Sequence, residues 1–238
     1  EYNRVIKSVR PLGSTFKIIP YTAALLEGIK LRDKFEDLPR CWESYCPKNF
    51  SGKYRGSVSL IESFKISSNI VPISITKKIG LKNIINLANS FGLGYEQEFK
   101  EFLSLAIGSY GDNLLNITNA YSAINNSGKI QRPSILEEIE SLNNQSIWKN
   151  KFISKKILDL KVNKKVNKLL EKSVREGTSK AASISGEKIY GKTGTSDGNK
   201  DLWFIGSIDN LTTGIWIGYD DNKKSELSSG NAAYLWKK

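Results

Sequence analysis

Polar and apolar positions alternate in helical patterns along the first two thirds of the chain and in strand patterns along the last third. From Gly13-Ser14, a run through Phe16, Ile19, Ala23, Leu26 and Ile29 keeps the three-to-four-residue spacing of a helix face. Pro20 falls in the early turns, where a missing amide donor is tolerated. Residues 31–56 read as a loop rich in Pro, Gly and aromatics, and helical spacing resumes at about 57–66, 70–79, 81–91 and 114–127. The interval Gly128 to Asn150 is polar and irregular, with room for a short hairpin. Val162, Val166, Leu169 and Val174 then recur on one side of a Lys-rich helix that ends near Glu176-Gly177.

Beyond that helix the period changes to two. Lys188 to Thr195, Leu202 to Ile208 and Thr213 to Tyr219 read as consecutive strands. Their links are short, Ser196 to Asp201 (with Asp197-Gly198-Asn199) and a turn opening at Asp209-Asn210, so an antiparallel meander is expected. Trp203 and Ile205 point one way, Phe204 and Ile208 the other. A sheet apolar on both faces must be covered on both, and the cover available is helix. No repeat or low-complexity linker interrupts the chain, which reads as one α+β domain over residues 1–238.

Composition narrows the chemistry. The chain has 238 residues, no His and no Met. Without His, every Ser-His-Asp or Cys-His mechanism and every His-ligated metal site is excluded, and two Cys alone make neither a zinc site nor an iron–sulfur cluster. An enzyme of this composition takes its base from Lys, Asp, Glu or Tyr. Without a starting Met the chain is expected to be a fragment or processed product, and no segment approaches the ~18 apolar residues of a membrane span. The net charge of +12 comes from 29 Lys and only 7 Arg, beside 27 Ile and 20 Asn, a bias that AT-rich coding produces. Nine Lys between Lys149 and Lys172 carry few aromatics among them and read as a solvated face rather than a nucleic-acid reader. Cys41 and Cys46 allow either a small loop disulfide, which needs an oxidising compartment, or two half-buried thiols.

Three short elements remain, in order: Ser14-Thr15-Phe16-Lys17, Ser67-Ser68-Asn69 and Lys192-Thr193-Gly194. Ser-x-x-Lys occurs four times, at Ser14, Ser74, Ser146 and Ser185, and Ser-x-Asn three times, at Ser67, Ser141 and Ser229, so neither is informative alone. Lys-Thr-Gly occurs once. Order removes Ser146 and Ser185. Ser74 with Ser141 survives order, but Ser141 lies in a polar turn with nothing to hold it. Ser14 instead opens an apolar helix, with Lys17 three residues on and within reach, and its own N–H at a helix start where it can face an oxyanion.

A serine hydroxyl needs a neighbour to take its proton, and Lys does so only when neutral. Lowering a Lys from its ordinary ~10.4 by about three units costs about 4 kcal/mol, which burial and a second cation supply. Lys192 is the candidate second cation. Ser67 is placed to relay a proton between Lys17, Lys192 and a leaving group, and Asn69 to hold a substrate amide. Gly194 admits a close ligand backbone, and Thr193 and Thr195 sit on one side of the strand, suited to a carboxylate.

Together these elements resemble the signature of the penicillin-recognising serine acyltransferases. Longer stretches are similar to the transpeptidase domain of class A, bifunctional penicillin-binding proteins: Arg10 to Lys17, Ser104 to Ser109, Val174 to Thr178, Gly191 to Ser196, Asp201 to Gly206 and Gly214 to Asn222. The resemblance runs in order from Asn3 to Trp236. It implies an antiparallel sheet, five-stranded in the family, between helical layers, with the first two strands, the upstream glycosyltransferase and the membrane helix absent here. It implies acyl-enzyme formation at Ser14 with Lys17 as base, loss of D-alanine from a peptidoglycan stem peptide, and acyl transfer to a neighbouring stem's amine. Ser67 and Asn69 would line the cleft, Lys192, Thr193 and Thr195 would hold the terminal carboxylate, and the N–H groups of Ser14 and Thr195 would form the oxyanion hole. The implied partners are D-Ala-D-Ala stem peptides, β-lactams and other cell-wall synthesis proteins, with no cofactor, metal or nucleic acid. The implied location is the periplasmic side of the bacterial cytoplasmic membrane. A sheet cut to three strands leaves an unpaired edge, an aggregation hazard.

Three other readings keep the same fold: a β-lactamase, a DD-carboxypeptidase, and a non-catalytic penicillin-recognising sensor or scaffold. Class A β-lactamases carry a Glu-x-x-Leu-Asn element. Here Leu142-Asn143 has Ile139 at the Glu position, straddled by Glu138 and Glu140.

Overall fold

A computed structural model describes residues 2–95 and 98–238. In chain order the first half contains α1 (Arg4–Lys7), β1 (Arg10–Pro11), a 3-10 turn (Gly13–Thr15), α2 (Ile18–Leu26), β2 (Lys34–Asp37), β3 (Gly56–Ser59), α3 (Leu60–Lys65), α4 (Ile70–Ile79) and α5 (Leu81–Ser90). A second 3-10 turn (Leu103–Ile107), β4 (Gly111–Asp112) and α6 (Leu114–Asn125) follow. Short strands β5 (Lys129–Gln131), β6 (Glu138–Glu140), β7 (Ser146–Lys149) and β8 (Ser154–Lys156) lead to α7 (Leu160–Glu176). The chain ends with β9 (Ile189–Thr195), β10 (Asp201–Ile208), β11 (Leu211–Gly218) and α8 (Ser229–Lys237).

The main sheet is the expected antiparallel meander, in the order β11-β10-β9. β10 is buried along nearly its whole length, and its side chains divide between two cores. Trp203 and Ile205 join the large core built from α2 to α7. Phe204 packs with Ile189, Ala232 and Ala233 beneath α8, its ring 5.2 Å from Trp236. Helices therefore cover both faces, and the fold is the mixed helix and antiparallel sheet that two-sided strands require.

Several details differ from the sequence reading. The first helix stops at Leu26, and Ile29 lies past its end with its N–H on Ala24 O at 3.0 Å. The stretch 31–56 is not all loop, because β2 pairs with β3 from Lys34↔Ser59 to Asp37↔Gly56. Lys34, Glu36 and Ser57 are exposed, so this ladder lacks the apolar alternation that announces a strand. The residues from 57 to 59 belong to that ladder, and Ser59 then caps α3. Cys41 and Cys46 are disulfide-bonded, deciding between the two readings of that pair.

Candidate active site

Ser14 lies in the 3-10 turn, and Phe16 and Lys17 continue it in right-handed helical geometry into α2. Residues three apart eclipse in a 3-10 turn, so Ser14 and Lys17 share a face. Pro20 stands in the first turn of α2, at the join with the 3-10 turn, where the loss of one donor is tolerated. The turn is held from several sides. Leu12 N–H bonds Tyr110 O and Gly13 N–H bonds Gly108 O, each at 2.9 Å. Tyr121 OH donates to Thr15 O at 2.8 Å, and Trp203 Nε1 to Pro11 O at 2.9 Å. Two glycines make the approach possible. A Cβ on Gly13 (φ +52°) would stand 2.3 Å from Thr195 O, and one on Gly108 (φ +85°) would stand 1.9 Å from Gly13 O. The Ser14 turn, the Ser104–Ser109 stretch and the edge of β9 thus meet backbone to backbone.

The opposite wall is Ser67-Ser68-Asn69, between α3 and α4. Ser67 has a left-handed backbone (φ 57°), a conformation costing about 1–2 kcal/mol that surrounding contacts must hold. Lys17, fully buried, donates to Ser67 O at 2.7 Å, Asn69 Oδ1 at 2.6 Å and Ser67 Oγ at 3.3 Å. Asn69 Nδ2 in turn donates to Lys48 O at 2.6 Å, which orients the amide so that its oxygen faces Lys17. Lys192, also fully buried, donates to the same Ser67 Oγ at 2.9 Å, to Thr193 O at 3.0 Å and to Thr178 Oγ1 at 3.3 Å.

Burial in this low-dielectric wall disfavours both ammonium groups. It lowers Lys192 to about 7. Lys17 is held well below its ordinary value, by burial first and by the Lys192 charge second, while the Asp37 charge acts the other way. Burial and the neighbouring cation thus favour a neutral Lys17. In neutral form its two hydrogens stay on the short contacts to the obligate acceptors Ser67 O and Asn69 Oδ1. The lone pair is then left for a hydroxyl.

These groups line a cleft of about 640 Å³ that includes Ser14, Ser67, Asn69, Thr178, Thr193 and Thr195. Ser14 is half-buried there, its hydroxyl free of hydrogen bonds to other described residues, Lys17 included. Thr193 Oγ1 donates to Thr178 Oγ1 at 3.0 Å, and Thr193 N–H bonds Ser179 Oγ at 3.0 Å. Gly194 faces away from the cleft: a Cβ there would stand 2.7 Å from Leu12 O, so this glycine admits the Ser14 turn rather than a ligand. The rival pairing dissolves, since Ser74 Oγ bonds Ile70 O within α4 and Ser141 stands in the turn between β6 and β7. Glu138, Ile139 and Glu140 form β6, where Glu138 pairs with Lys149 at 3.0 Å, and none of them lines the cleft.

Several contributors carry no role in the sequence reading. Thr178 lies in the quoted Val174–Thr178 stretch, and its hydroxyl between Lys192 and Thr193 is the reason it matters. Lys48, Asn49 and Asp37 support Asn69 and Ser68 from a segment read as loop.

The family model for the penicillin binding protein transpeptidase domain matches residues 1–233. The chain belongs to this family. Penicillin-binding protein 1A of Rickettsia prowazekii (strain Madrid E) is 30% identical over 253 residues, covering 94% of this chain and 32% of that protein. The transpeptidase chain thus spans about a third of the length of such curated relatives, and the likeness to penicillin-binding protein 1A groups it with the class A members. Among solved structures, penicillin-binding protein PonA1 from Mycobacterium tuberculosis in complex with penicillin V superposes with a TM-score of 0.89 at 20% identity, over 100% of this chain and 69% of that one. The imipenem acyl-enzyme complex of penicillin-binding protein A from M. tuberculosis gives 0.86 at 21% identity, over 99% and 61%. This is a penicillin-binding transpeptidase domain, of the serine acyltransferase kind.

Proposed function

We propose that the domain is a peptidoglycan DD-transpeptidase, and that β-lactams acylate it at the same serine. The observation that carries this reading is the convergence of two buried lysines on Ser67 Oγ beside the free hydroxyl of Ser14. Ser14 Oγ attacks the carbonyl of the penultimate D-Ala, and neutral Lys17 takes the hydroxyl proton. The Ser14 N–H faces the oxyanion. Ser196 N–H bonds Asp201 O at 3.0 Å, so alternation along the ladder turns the Thr195 N–H to the outer edge of β9, where it joins Ser14. As the C–N bond breaks, the proton passes through Ser67 to the departing D-alanine amine, while Thr193 and Thr195 hold its carboxylate. An acceptor amine then attacks the Ser14 ester and returns the proton along the same path.

The disulfide between Cys41 and Cys46 supports an oxidising, extracytoplasmic location, as do relatives named penicillin-binding protein 1A. The test is labelling with a fluorescent penicillin. Wild type is expected to form a covalent adduct mapped to Ser14 and Ser14→Ala none; an adduct that persists in Ser14→Ala overturns the assignment. With a D-Ala-D-Ala pentapeptide and an added D-amino acid, exchange product identifies transpeptidation, and free tetrapeptide alone identifies carboxypeptidation.

A further inference from the structure

The middle residue of Ser67-Ser68-Asn69 points away from the cleft, toward a carboxylate at the end of β2. Asp37, at the end of β2, is fully buried. Every hydrogen bond on it is donated to it: from Ser68 Oγ at 2.6 Å, from Asn49 Nδ2 at 3.0 and 3.2 Å, and from the Arg55 N–H at 2.9 Å. That is the pattern of an ionised acceptor. It has no ion pair among the described residues, so its charge is balanced by oriented dipoles.

Each partner of Asp37 leads to the catalytic loop. Ser68 Oγ, while donating to Asp37, accepts the N–H groups of Ile70 and Val71 at 3.1 and 3.2 Å, which satisfies two otherwise orphan donors in the first turn of α4. Asn49 Oδ1 accepts the Asn69 N–H at 2.8 Å, and the neighbouring Lys48 O accepts Asn69 Nδ2 at 2.6 Å. The Asn49 amide is oriented by Asp37 and by Lys53 O, which it meets at 3.0 Å. One buried carboxylate therefore holds Ser68 directly and Asn69 through Asn49. Between them they fix a loop whose first residue, Ser67, is kept in left-handed geometry facing both lysines.

We propose that Asp37 is a positioning residue for acyl transfer: with Asn49 and Ser68 it clamps the Ser67–Asn69 loop so that Ser67 Oγ and Asn69 Oδ1 meet Lys17 and Lys192. It touches no reacting atom. The proposal rests on the acyl-transfer reading above and goes past it, since neither the three motifs nor the family likeness assigns anything to residue 37. Removing the clamp relaxes Ser67 out of its left-handed state and opens the contacts of Lys17. Asp37 also contributes negative charge near Lys17. The charged groups acting on Lys17 are Lys192 from β9 and Asp37 from β2, and its other polar partners, Ser67 and Asn69, are neutral.

The experiment compares fluorescent-penicillin acylation rates, per folded molecule, for wild type, Asp37→Asn, Ser68→Ala and the core control Val58→Ala across pH 5 to 9. Asp37→Asn is expected to slow acylation at least tenfold and Ser68→Ala at least threefold, with Val58→Ala unchanged once corrected for folded fraction. Loss of the Asp37 charge makes Lys17 easier to deprotonate, so the acid limb of the Asp37→Asn profile moves to lower pH. Ser68→Ala removes no charge and leaves the limb in place. Rates in Asp37→Asn or Ser68→Ala equal to those of Val58→Ala overturn the proposal, as does an unmoved limb in Asp37→Asn. If Asp37→Asn does not fold, Ser68→Ala decides alone. Absence of labelling in wild type defeats the acyl-transfer reading instead, so the two failures are distinct.

Discussion

Lys17 and Lys192 are both fully buried and both reach Ser67 Oγ, at 3.3 and 2.9 Å. Two ammonium groups around one hydroxyl repel, and the one that deprotonates becomes the base. Burial lowers both, Lys192 to about 7, and the Lys192 charge adds to the lowering of Lys17, the group that the proposed mechanism uses as its neutral base. The sign of a test follows. Acylation rises with pH as Lys17 loses its proton, and Lys192→Met removes the charge that helps it do so. Its protonated form is then favoured, and the acid limb of acylation moves to higher pH, opposite to Asp37→Asn. The remaining rate is expected to fall by about 10²–10⁴, the usual range for losing a group in proton transfer. Rates of penicillin labelling across pH check both, and a limb that moves to lower pH contradicts the arrangement. The residues of the candidate site could be picked out because their motif spacing is local or their order is restrictive. Asp37 was not, because its hydrogen bond to Ser68 spans 31 residues and nothing in Lys-Phe-Glu-Asp marks a buried acid.

Ser14 is positioned by contacts between elements more than by its own helix. Gly108, after the second 3-10 turn, takes φ +85° and leaves no room for a side chain against Gly13 O. Gly108→Ala adds a left-handed Ala and a 1.9 Å clash with the backbone beside Ser14. It is expected to cost about 3 kcal/mol or more, a drop of about 6–12 °C in Tm at this chain length. Acylation should fall further than the folded fraction does, because the displaced atom belongs to the residue preceding Ser14. Thermal unfolding and labelling on one sample check this, and a variant with wild-type labelling refutes the contact. Helices α4 to α7 and strands β9 to β11 were readable from their apolar periods, which tertiary packing reinforces. The β2–β3 ladder was not: three of its eight residues are buried, and it is specified by pairing and by the hydrogen bonds of Asp37. The 3-10 start of the first helix was equally hidden, since its geometry answers to Gly108 and β9 rather than to local propensity.

At the scale of the whole molecule, two surface properties oppose each other. β11 lies at the outer edge of the main sheet, and its backbone groups on that side have no strand partner among the described residues. Such an edge invites pairing with a second copy. Against it stands a net charge of +12, carried largely by exposed lysines such as Lys161, Lys164 and Lys168 of α7. At about 0.01 M ionic strength the Debye length is about 30 Å, comparable to the domain, and like-charged copies repel before their edges meet. At about 0.5 M it falls to roughly 4 Å, by the inverse-square-root dependence on ionic strength, and the repulsion no longer reaches across the contact. Self-association of the 238-residue chain is therefore expected to rise with salt, the reverse of what an ion-paired or polyanion-bridged contact does. Sedimentation velocity at fixed protein concentration across that range is the measurement. Association that weakens with salt would assign the contact to the lysine-rich surface and remove the β11 edge from the account.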